Sequence, residues 1–209
     1  DPDGFLIGEW DGEPIGCISA VCYGAAFGFL GFYIVRPEFR GRGHGLAIWN
    51  AAMARFGGRI VGLDGVVAQQ DNYRKSGFTL EHRNVRYGAA KPVPPSPAPG
   101  FTVAPVSSFT DIAAYDHAVF PASRDAFLRA WITLPGHVAL ELRRDGVLAG
   151  YGVIRPCRAG SKIGPLFADT PEGARTLFAA LLAKAPEGPV FLDLPEPNAD
   201  AVAMARAAG

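Results

Sequence analysis

The chain has little of several features on which whole classes of function depend. Its 209 residues include 20 basic and 20 acidic side chains, so the formal net charge at pH 7 is zero. Nucleic-acid binding needs a basic face that neutralises phosphates, and an anionic membrane attracts a similar excess of lysine and arginine. There is no apolar run long enough to span a bilayer and no signal-peptide pattern. We therefore expect neither nucleic acid nor a membrane as partner.

Cysteine and histidine are also scarce. Cys17, Cys22 and Cys157 are odd in number, and their spacing matches no metal or redox motif. Such thiols are typical of a reducing compartment, so we predict reduced cysteines and a cytoplasmic protein. The four histidines lie far apart in the sequence and form no ligand pair, so we predict no metal.

Apolar residues and proline, in contrast, are plentiful. Hydrophobic residues make up 49% of the chain, enough for one large core or two smaller ones. Five prolines fall within Lys91–Gly100, a composition typical of a semi-rigid linker. We therefore predict a first domain at residues 1–90, a linker at 91–100 and a second domain at 101–209.

Both halves show the same order of predicted elements: hairpin, strand, helix, strand, helix. An Asp-Gly pair marks the turn of each hairpin, and the apolar residues of Leu46–Phe56 have helical spacing. A further strand is predicted at Phe78–Gly88, and Asn198 is a candidate cap of the last helix. The order predicts an internal duplication in an α/β (α+β) fold. Only the second half has an opening strand and two helices before its hairpin, so we expect the first copy to lack that segment here.

The stretch Phe32–Trp49, "FYIVRPEFRGRGHGLAIW", joins a strand pattern to a helix pattern through a loop in which three glycines alternate with Arg40, Arg42 and His44. The first N–H groups of a helix have no internal partners, and the helix dipole adds positive charge there. Glycines let the backbone approach a ligand, and Arg40 and Arg42 add fork-like donors. This pattern is typical of a site for a pyrophosphate.

Two known anion motifs do not fit this stretch. A P-loop needs a lysine after its last glycine, and no lysine follows here. A dinucleotide fingerprint needs its glycines directly after the strand, whereas here five residues, including a proline, intervene. A third pattern, R/Q-x-x-G-x-G/A, matches Arg40–Gly45, with V-x-P before it at Val35–Pro37. In these residues the chain resembles the GCN5-related N-acetyltransferases, the GNAT superfamily.

The resemblance implies a fold, a cosubstrate and a set of binding residues. It implies two GNAT-like domains, each a mixed, mostly antiparallel sheet flanked by helices, and acetyl-CoA as cosubstrate. In the family the loop binds the pyrophosphate and the preceding strand pairs with the pantetheine arm. Carried over to this chain, the cofactor-binding residues would be Tyr33, Ile34, Val35, Arg40, Gly41, Arg42, Gly43, His44 and Gly45.

A second segment, "NYRKSGF" at Asn72–Phe78, looks like the family's Y-x-x-x-G-F segment. In the family the matching tyrosine often protonates the CoA thiolate as it leaves, which assigns this catalytic role to Tyr73. A phenol with a pKa of about 10 is a suitable donor to a thiolate. The alternative is a tyrosine that only packs. Asn72 departs from the family's usual apolar residue and either contacts CoA or caps the helix.

The general base is left open by the sequence. Many members of the family use a glutamate on the strand before the loop, but Phe27–Val35 carries no acid. Asp64, on the next predicted strand, is the nearest candidate, although an aspartate beside glycine is typical of a turn or bulge. Deprotonation through water, or by a base from a missing segment, is also compatible with the sequence.

The second half keeps the order of elements without the loop. Asp169 and Glu172 lie where the pyrophosphate loop would be and would repel an anion. Over Phe101–Gly209 the resemblance is therefore topological, and we interpret this half as a degenerate GNAT-like domain. Three alternative roles for this half are compatible with the sequence: it shapes the acceptor site, it joins the two halves, or it mediates self-association as a homodimer.

The combined prediction is an N-acetyltransferase. It would move an acetyl group from acetyl-CoA to a primary amine of a small molecule or peptide, by direct attack in a ternary complex. The alternative is a protein that binds acyl-CoA as a sensor or interaction partner without turnover.

Overall fold

The computed structural model describes all residues 1–209 and divides into two compact units. The first unit comprises Asp1–Thr79 together with Phe120–Ser123, and the second comprises Leu80–Val119 together with Arg124–Gly209. Each unit contains one mixed sheet with helices packed on it, so the α/β fold predicted from the sequence is confirmed.

The first unit is a four-stranded sheet with two helices. Its elements in chain order are β1 (Phe5–Trp10), β2 (Glu13–Tyr23), β3 (Phe27–Val35), α1 (His44–Phe56), β4 (Ile60–Leu63) and α2 (Gln70–Lys75). The strands lie in the order β1-β2-β3-β4, and only β4 runs parallel to its neighbour. The predicted order of hairpin, strand, helix, strand and short helix is confirmed.

The core of the first unit lies between the sheet and α1. Ile48, Trp49, Ala52 and Phe56 of α1 are buried against apolar residues of β2 and β3. A Cβ at Gly28 would lie 2.4 Å from a ring atom of Phe56, so glycine lets the helix approach the strand. Leu46, predicted to share the apolar face of the helix, is instead 62% exposed.

The second unit is a six-stranded sheet with four helices. Its elements in chain order are β5 (Asn84–Ala89), β6 (Phe101–Pro105), α3 (Phe109–Val119), α4 (Asp125–Thr133), β7 (Val138–Arg144), β8 (Val147–Pro156), β9 (Ser161–Ala168), α5 (Pro171–Leu182), β10 (Val190–Pro195) and α6 (Ala199–Ala208). The strands lie in the order β5-β10-β9-β8-β7-β6, and only β9 and β10 pair in parallel. Asn198 caps α6 as predicted, since its side-chain oxygen accepts from the N–H of Ala201 at 3.0 Å.

The division between the units lies at Thr79/Leu80 rather than at the predicted boundary after residue 90. The predicted strand begins only at Asn84, and β5 pairs over its whole length with β10. Arg86 also binds Asp193 of β10 through two hydrogen bonds of 2.7 and 2.9 Å. These bonds, together with those from Lys162, lower the pKa of Asp193 from 3.8 to about 2. The alternation of apolar and polar residues predicted a strand here, but it did not indicate which strand this one would pair with.

The proline-rich segment Lys91–Gly100 belongs to the second unit and is not a separate linker. The N–H of Val93 donates to the carbonyl of Ala208 at 2.8 Å, and the N–H of Ala98 donates to Oγ1 of Thr176 at 2.9 Å. Proline has no N–H, so a segment rich in it has few donors to satisfy. The helices α5 and α6 supply acceptors for two of the donors that remain.

A buried charge cluster stabilises the second unit between α3 and β8. Asp116 is 2% exposed and accepts two hydrogen bonds from Arg124, at 2.8 and 2.7 Å. Tyr151 donates to the same carboxylate, and burial followed by this bond raises the pKa of its phenol. A buried carboxylate is tolerated when a bidentate arginine compensates its charge, as here.

Two further observations concern the chain as a whole. All three cysteines are free thiols. None of the helices combines the length and apolar character needed to cross a bilayer.

Candidate active site

The candidate site lies where β3 and β4 separate. β4 pairs with β3 only at Phe27–Leu30, whereas β3 remains paired with β2 as far as Val35. Residues 31–35 of β3 therefore have one edge without a strand partner. Backbone N–H and C=O groups on such an edge can pair with an extended ligand.

A β-bulge interrupts β3 at the start of this free edge. Gly31 pairs with Ser19 and Ile34 with Cys17, so β3 has one residue more than β2 between these two pairs. Phe32 lies in the bulge with a φ of 48° and a side chain that is 73% exposed. A left-handed backbone costs a non-glycine residue about 1–2 kcal/mol. Bulges bend a strand and re-aim the residues that follow, and they are common beside active sites.

The divergence opens into a cavity of about 880 Å³. Eight of the eleven residues predicted for the site line it: Tyr33, Ile34, Val35, Arg40, Gly41, Gly43, Gly45 and Tyr73. They come from the end of β3, from the loop before α1 and from α2. Three segments that the sequence connected only by motif are thus brought to one cavity.

The N-terminus of α1 faces this cavity without a cap of its own. Gly43 is the N-cap residue with a φ of 86°, and no side chain caps the helix. The first turn carries no acidic residue, and the intrahelical ladder starts with the N–H of Ala47 on Gly43 at 3.1 Å. The N–H groups of the residues before Ala47 donate to none of the intrahelical hydrogen bonds. With the helix dipole they form a site suited to an anion.

Two contacts tie the loop to β3. Nε of Arg40 donates to the carbonyl of Val35 at 2.8 Å, which closes the loop onto the strand end. A Cβ at Gly45 would lie 2.6 Å from the hydroxyl of Tyr33, so only glycine lets this tyrosine pack against the helix start. Burial, followed by the nearby Tyr73, raises the pKa of Tyr33. The phenol of Tyr33 is therefore protonated at neutral pH.

Tyr73 is held at the cavity wall by packing. Its ring stacks on Trp49 with centroids 6.0 Å apart and planes 28° apart. A Cβ at Gly65 would lie 2.6 Å from Cε2 of Tyr73, so the backbone there also packs against the ring. Trp49 is itself buried in the core of the first unit. The phenol is thereby positioned beside the free edge of β3.

Three predicted site residues do not line the cavity. The guanidinium of Arg42 lies 5.8 Å from the ring centre of Phe39. The imidazole of His44 packs on Trp10 with ring centres 4.8 Å apart, and its buried Nε2 has no partner. Nδ2 of Asn72 donates to Gln69 at 2.6 Å. In this structure the three side chains contact protein groups around the cavity.

Asp64, which the sequence offered as the nearest candidate for the general base, lines the cavity, and so does Gln69. Asp64 is the single acidic side chain among the lining residues. The sequence contained a signal for the position of Asp64 in the cavity. Asp64 directly follows β4, as the glycine-rich loop follows β3, and parallel strands end at the same edge of a sheet. There is no grouping of three or more histidine, cysteine or acidic side chains suited to a metal ion.

The corresponding place in the second unit is closed by its own residues. Only two residues separate β9 from α5, and Oγ1 of Thr170 accepts from the N–H of Gly173 at 3.1 Å. Glu172 lies in the first turn, and Asp169 accepts from the hydroxyl of Tyr115 at 2.6 Å. The helix start has no side-chain cap and no acidic first-turn residue in the first unit, whereas in the second unit it has both.

Replacing Thr170 by alanine should lower the stability of the second unit by about 1 kcal/mol, the usual cost of losing an N-cap side chain. Urea unfolding with a probe in that unit measures the change. Thr110→Ala, at an exposed position within α3, is the matched control and should change stability by less than about 0.5 kcal/mol. Equal effects of the two changes would contradict the capping role.

Comparisons with known proteins agree with this architecture. Residues 1–78 match the model of the acetyltransferase (GNAT) family, and residues 112–209 match that of an acetyltransferase (GNAT) domain. The second match goes beyond the purely topological resemblance predicted for that half. Holothin acyltransferase of Pseudoalteromonas sp. (strain SANK 73390) is 30% identical over 197 residues, which cover 93% of this chain and 67% of that protein.

Solved structures share the fold over the whole chain. A candidate acetyltransferase from Pyrococcus horikoshii superposes with a TM-score of 0.80 at 23% identity, covering 99% of this chain and 69% of that one. A tandem GNAT protein from the clavulanic acid biosynthesis pathway gives a TM-score of 0.66 at 16% identity, covering 100% of this chain and 80% of that one.

The chain spans between half and about two thirds of the length of the curated relatives that it matches. The two family matches and the relative at 30% identity agree with the loop, the free strand edge and the helix start described above. The chain therefore belongs to the GNAT acetyltransferase family and carries two domains of that family in tandem.

Proposed function

We propose that the first unit is an N-acyltransferase that moves an acyl group, with acetyl as the simplest case, from acyl-CoA to a primary amine. One observation carries the proposal: a single cavity joins the free edge of β3, the uncapped start of α1 and the phenol of Tyr73. These are a binding surface for amides, a binding surface for an anion and a proton donor. Acyl transfer from a CoA thioester needs all three.

The chemical groups of CoA fit the residues present. The N–H groups at the start of α1, with Arg40 beside them, suit a pyrophosphate. The free backbone groups of β3 suit the two amides of a pantetheine arm. At Gly41 and Gly43 an added Cβ would meet nothing within 4 Å, so these two residues leave the approach to the loop free of side chains. CoA itself would supply the activated acyl group as a thioester.

In this mechanism Tyr73 acts as the general acid. When the amine attacks the thioester carbonyl, the carbon–sulfur bond breaks and the sulfur leaves as a thiolate. Tyr73 would donate its proton to that sulfur, since a phenol is a weak acid that can protonate a leaving thiolate. The packing of Tyr73 between Trp49 and Gly65 holds the ring for this step.

Asp64 is suited to prepare the acceptor. An amine is protonated at neutral pH and must lose a proton before it attacks. The carboxylate of Asp64 is the single anionic group of the lining, so it can attract the ammonium group and accept its proton, directly or through water. This role replaces the strand glutamate that β3 does not have.

The relative named holothin acyltransferase supports acyl transfer in general. Its name does not restrict the donor to acetyl-CoA. The alternative function, acyl-CoA binding without turnover, is favoured by the missing acid on β3 and opposed by the position of Tyr73.

Isothermal titration of the chain with acetyl-CoA, followed by release of free thiol in the presence of a panel of primary amines, tests the proposal. We expect micromolar binding and thiol release that depends on the amine. Binding without thiol release from any amine would favour the sensor. Absence of binding to acetyl-CoA and to free CoA would overturn the proposed function.

A further inference from the structure

Phe32 is the one bulky residue of the chain with a left-handed backbone. Two other non-glycine residues have a positive φ, Asp11 at 51° and Asp145 at 52°. Both directly precede a glycine in the turn of a hairpin, where aspartate adopts this conformation readily. Phe32 lies within β3 instead, and for a bulky residue a φ of 48° is an outlier. Strain of this kind is concentrated at functional sites.

The side chain of Phe32 contributes no core packing that would explain this strain. It is 73% exposed, it lies outside the apolar core of the first unit, and it lines the cavity. Glycine would adopt the same backbone without steric cost, so the bulge alone does not require phenylalanine. What the residue type supplies at this position is a large apolar ring at the cavity.

Val66 adds a second exposed apolar side chain to the same cavity. It is 60% exposed and follows Asp64 by two residues. Single exposed apolar residues are normal on a protein surface, but several around one cavity are typical of a binding site. Leu46 and Ile34 also line the cavity, at the helix start and the strand end proposed for CoA. Phe32 and Val66 come instead from the bulge and from the segment of the proposed amine-binding carboxylate.

The charged side chains of the lining restrict the acceptor further. Asp64 is the single acidic one, and Arg40 is the single basic one. Arg40 belongs to the loop proposed for the pyrophosphate, where its Nε donates to the carbonyl of Val35. The lining therefore has a counter-charge for one ammonium group and none for a second. It has no further cation for a carboxylate on the acceptor, and a charge without a partner is costly to desolvate.

We infer that the acceptor is a hydrophobic monoamine. Its single ammonium group would bind at Asp64, and its apolar body, best an aromatic ring, would pack on Phe32 and Val66. Phe32 is then the residue that determines the acceptor specificity. This inference rests on the proposed acyl transfer and names its acceptor class. The bonds that form and break are those of that reaction.

Steady-state thiol release from acetyl-CoA with matched pairs of amines tests the inference. We expect kcat/KM for phenethylamine to exceed that for ethylamine, which lacks the ring, at least about ten-fold. Hexylamine should exceed its analogue with an amino group at both ends at least about ten-fold, because the second charge has no partner. Phenylalanine, which adds a carboxylate to phenethylamine, should fall at least about ten-fold below it for the same reason.

Phe32→Ala should lower kcat/KM for phenethylamine at least about ten-fold and that for ethylamine less than about three-fold, with the Kd for acetyl-CoA within about two-fold of wild type. Phe5→Ala is the matched control, because Phe5 of β1 is 61% exposed and lies outside the cavity lining. It should leave the whole series unchanged. Phe32→Gly removes the same ring and relieves the positive φ, so it keeps the test valid if the alanine variant does not fold.

Three results would overturn the inference and leave the proposed function standing. They are equal kcat/KM for phenethylamine and ethylamine, a preference for the diamine or for phenylalanine, and unchanged selectivity in the folded Phe32 variants. Turnover of no amine by the wild-type chain would overturn both the inference and the proposed function.

Discussion

Gly43→Glu should abolish binding of acyl-CoA, with a fall in affinity of at least roughly 100-fold, because two or more charge-assisted hydrogen bonds of about 1.5–3 kcal/mol each are lost. Gly43 is the N-cap of α1 with a φ of 86°, and it lines the cavity. A glutamate there adds negative charge at the helix start and a side chain where the anion would lie. Titration calorimetry with acetyl-CoA measures the loss.

The control for this variant is a glycine-to-glutamate change at position 24, which adds the same charge at another residue with a positive φ. Gly24, in the turn between β2 and β3, has a φ of 57°, and an added Cβ there meets nothing within 4 Å. This turn precedes β3, whereas the cavity lies at the other end of that strand. Gly24→Glu should bind acetyl-CoA with unchanged affinity. Retained affinity in a folded Gly43→Glu variant would show that the start of α1 is not the anion site.

Tyr73→Phe should lower kcat about 100-fold while the Kd for acyl-CoA changes less than about two-fold, since removal of a general acid costs 10²–10⁴-fold in rate. Phenylalanine preserves the stacking on Trp49 and the contact with Gly65, so the cavity keeps its shape. Only the phenolic hydroxyl is lost. Steady-state thiol release and calorimetry on the same preparation separate the two effects.

Tyr33→Phe makes the same chemical change at a second tyrosine of the same cavity. We expect its kcat to stay within about three-fold of wild type, because Tyr33 packs on the start of α1. Its hydroxyl fills the space that the glycine at position 45 leaves there. A large loss in Tyr33→Phe with none in Tyr73→Phe would transfer the role of proton donor to Tyr33. Unchanged rates in both variants would show that water protonates the leaving thiolate, or that the thiolate leaves without being protonated.

The part of the site that could be predicted from the sequence is the part built from neighbours in the chain. A strand, a proline, a glycine-rich loop and a helix follow one another within Phe32–Trp49, and each has a local signature. Eight of the eleven residues taken from these motifs line one cavity. Local motifs predict which segments approach a ligand. They predict less well which side chain of a segment points to it, as Arg42 and His44 illustrate.

The parts that could not be predicted depend on pairing between distant segments. The domain boundary is one of them, because β5 reads as a strand of the first half but pairs with β10, about a hundred residues later. The position of Asp64 in the cavity depends on the parallel pairing of β4 with β3 and on its end at Leu63. The role of the proline-rich segment depends on acceptors in α5 and α6.

By itself, the sequence determined the order of the elements, the turns and the helix start that suits an anion, because backbone conformation and capping are decided by neighbouring residues. Tertiary structure alone decided where β3 leaves β4 and which side chains meet in the space between them. Strand register and the volume of a cavity are properties of distant segments packed together, and no single segment carries them.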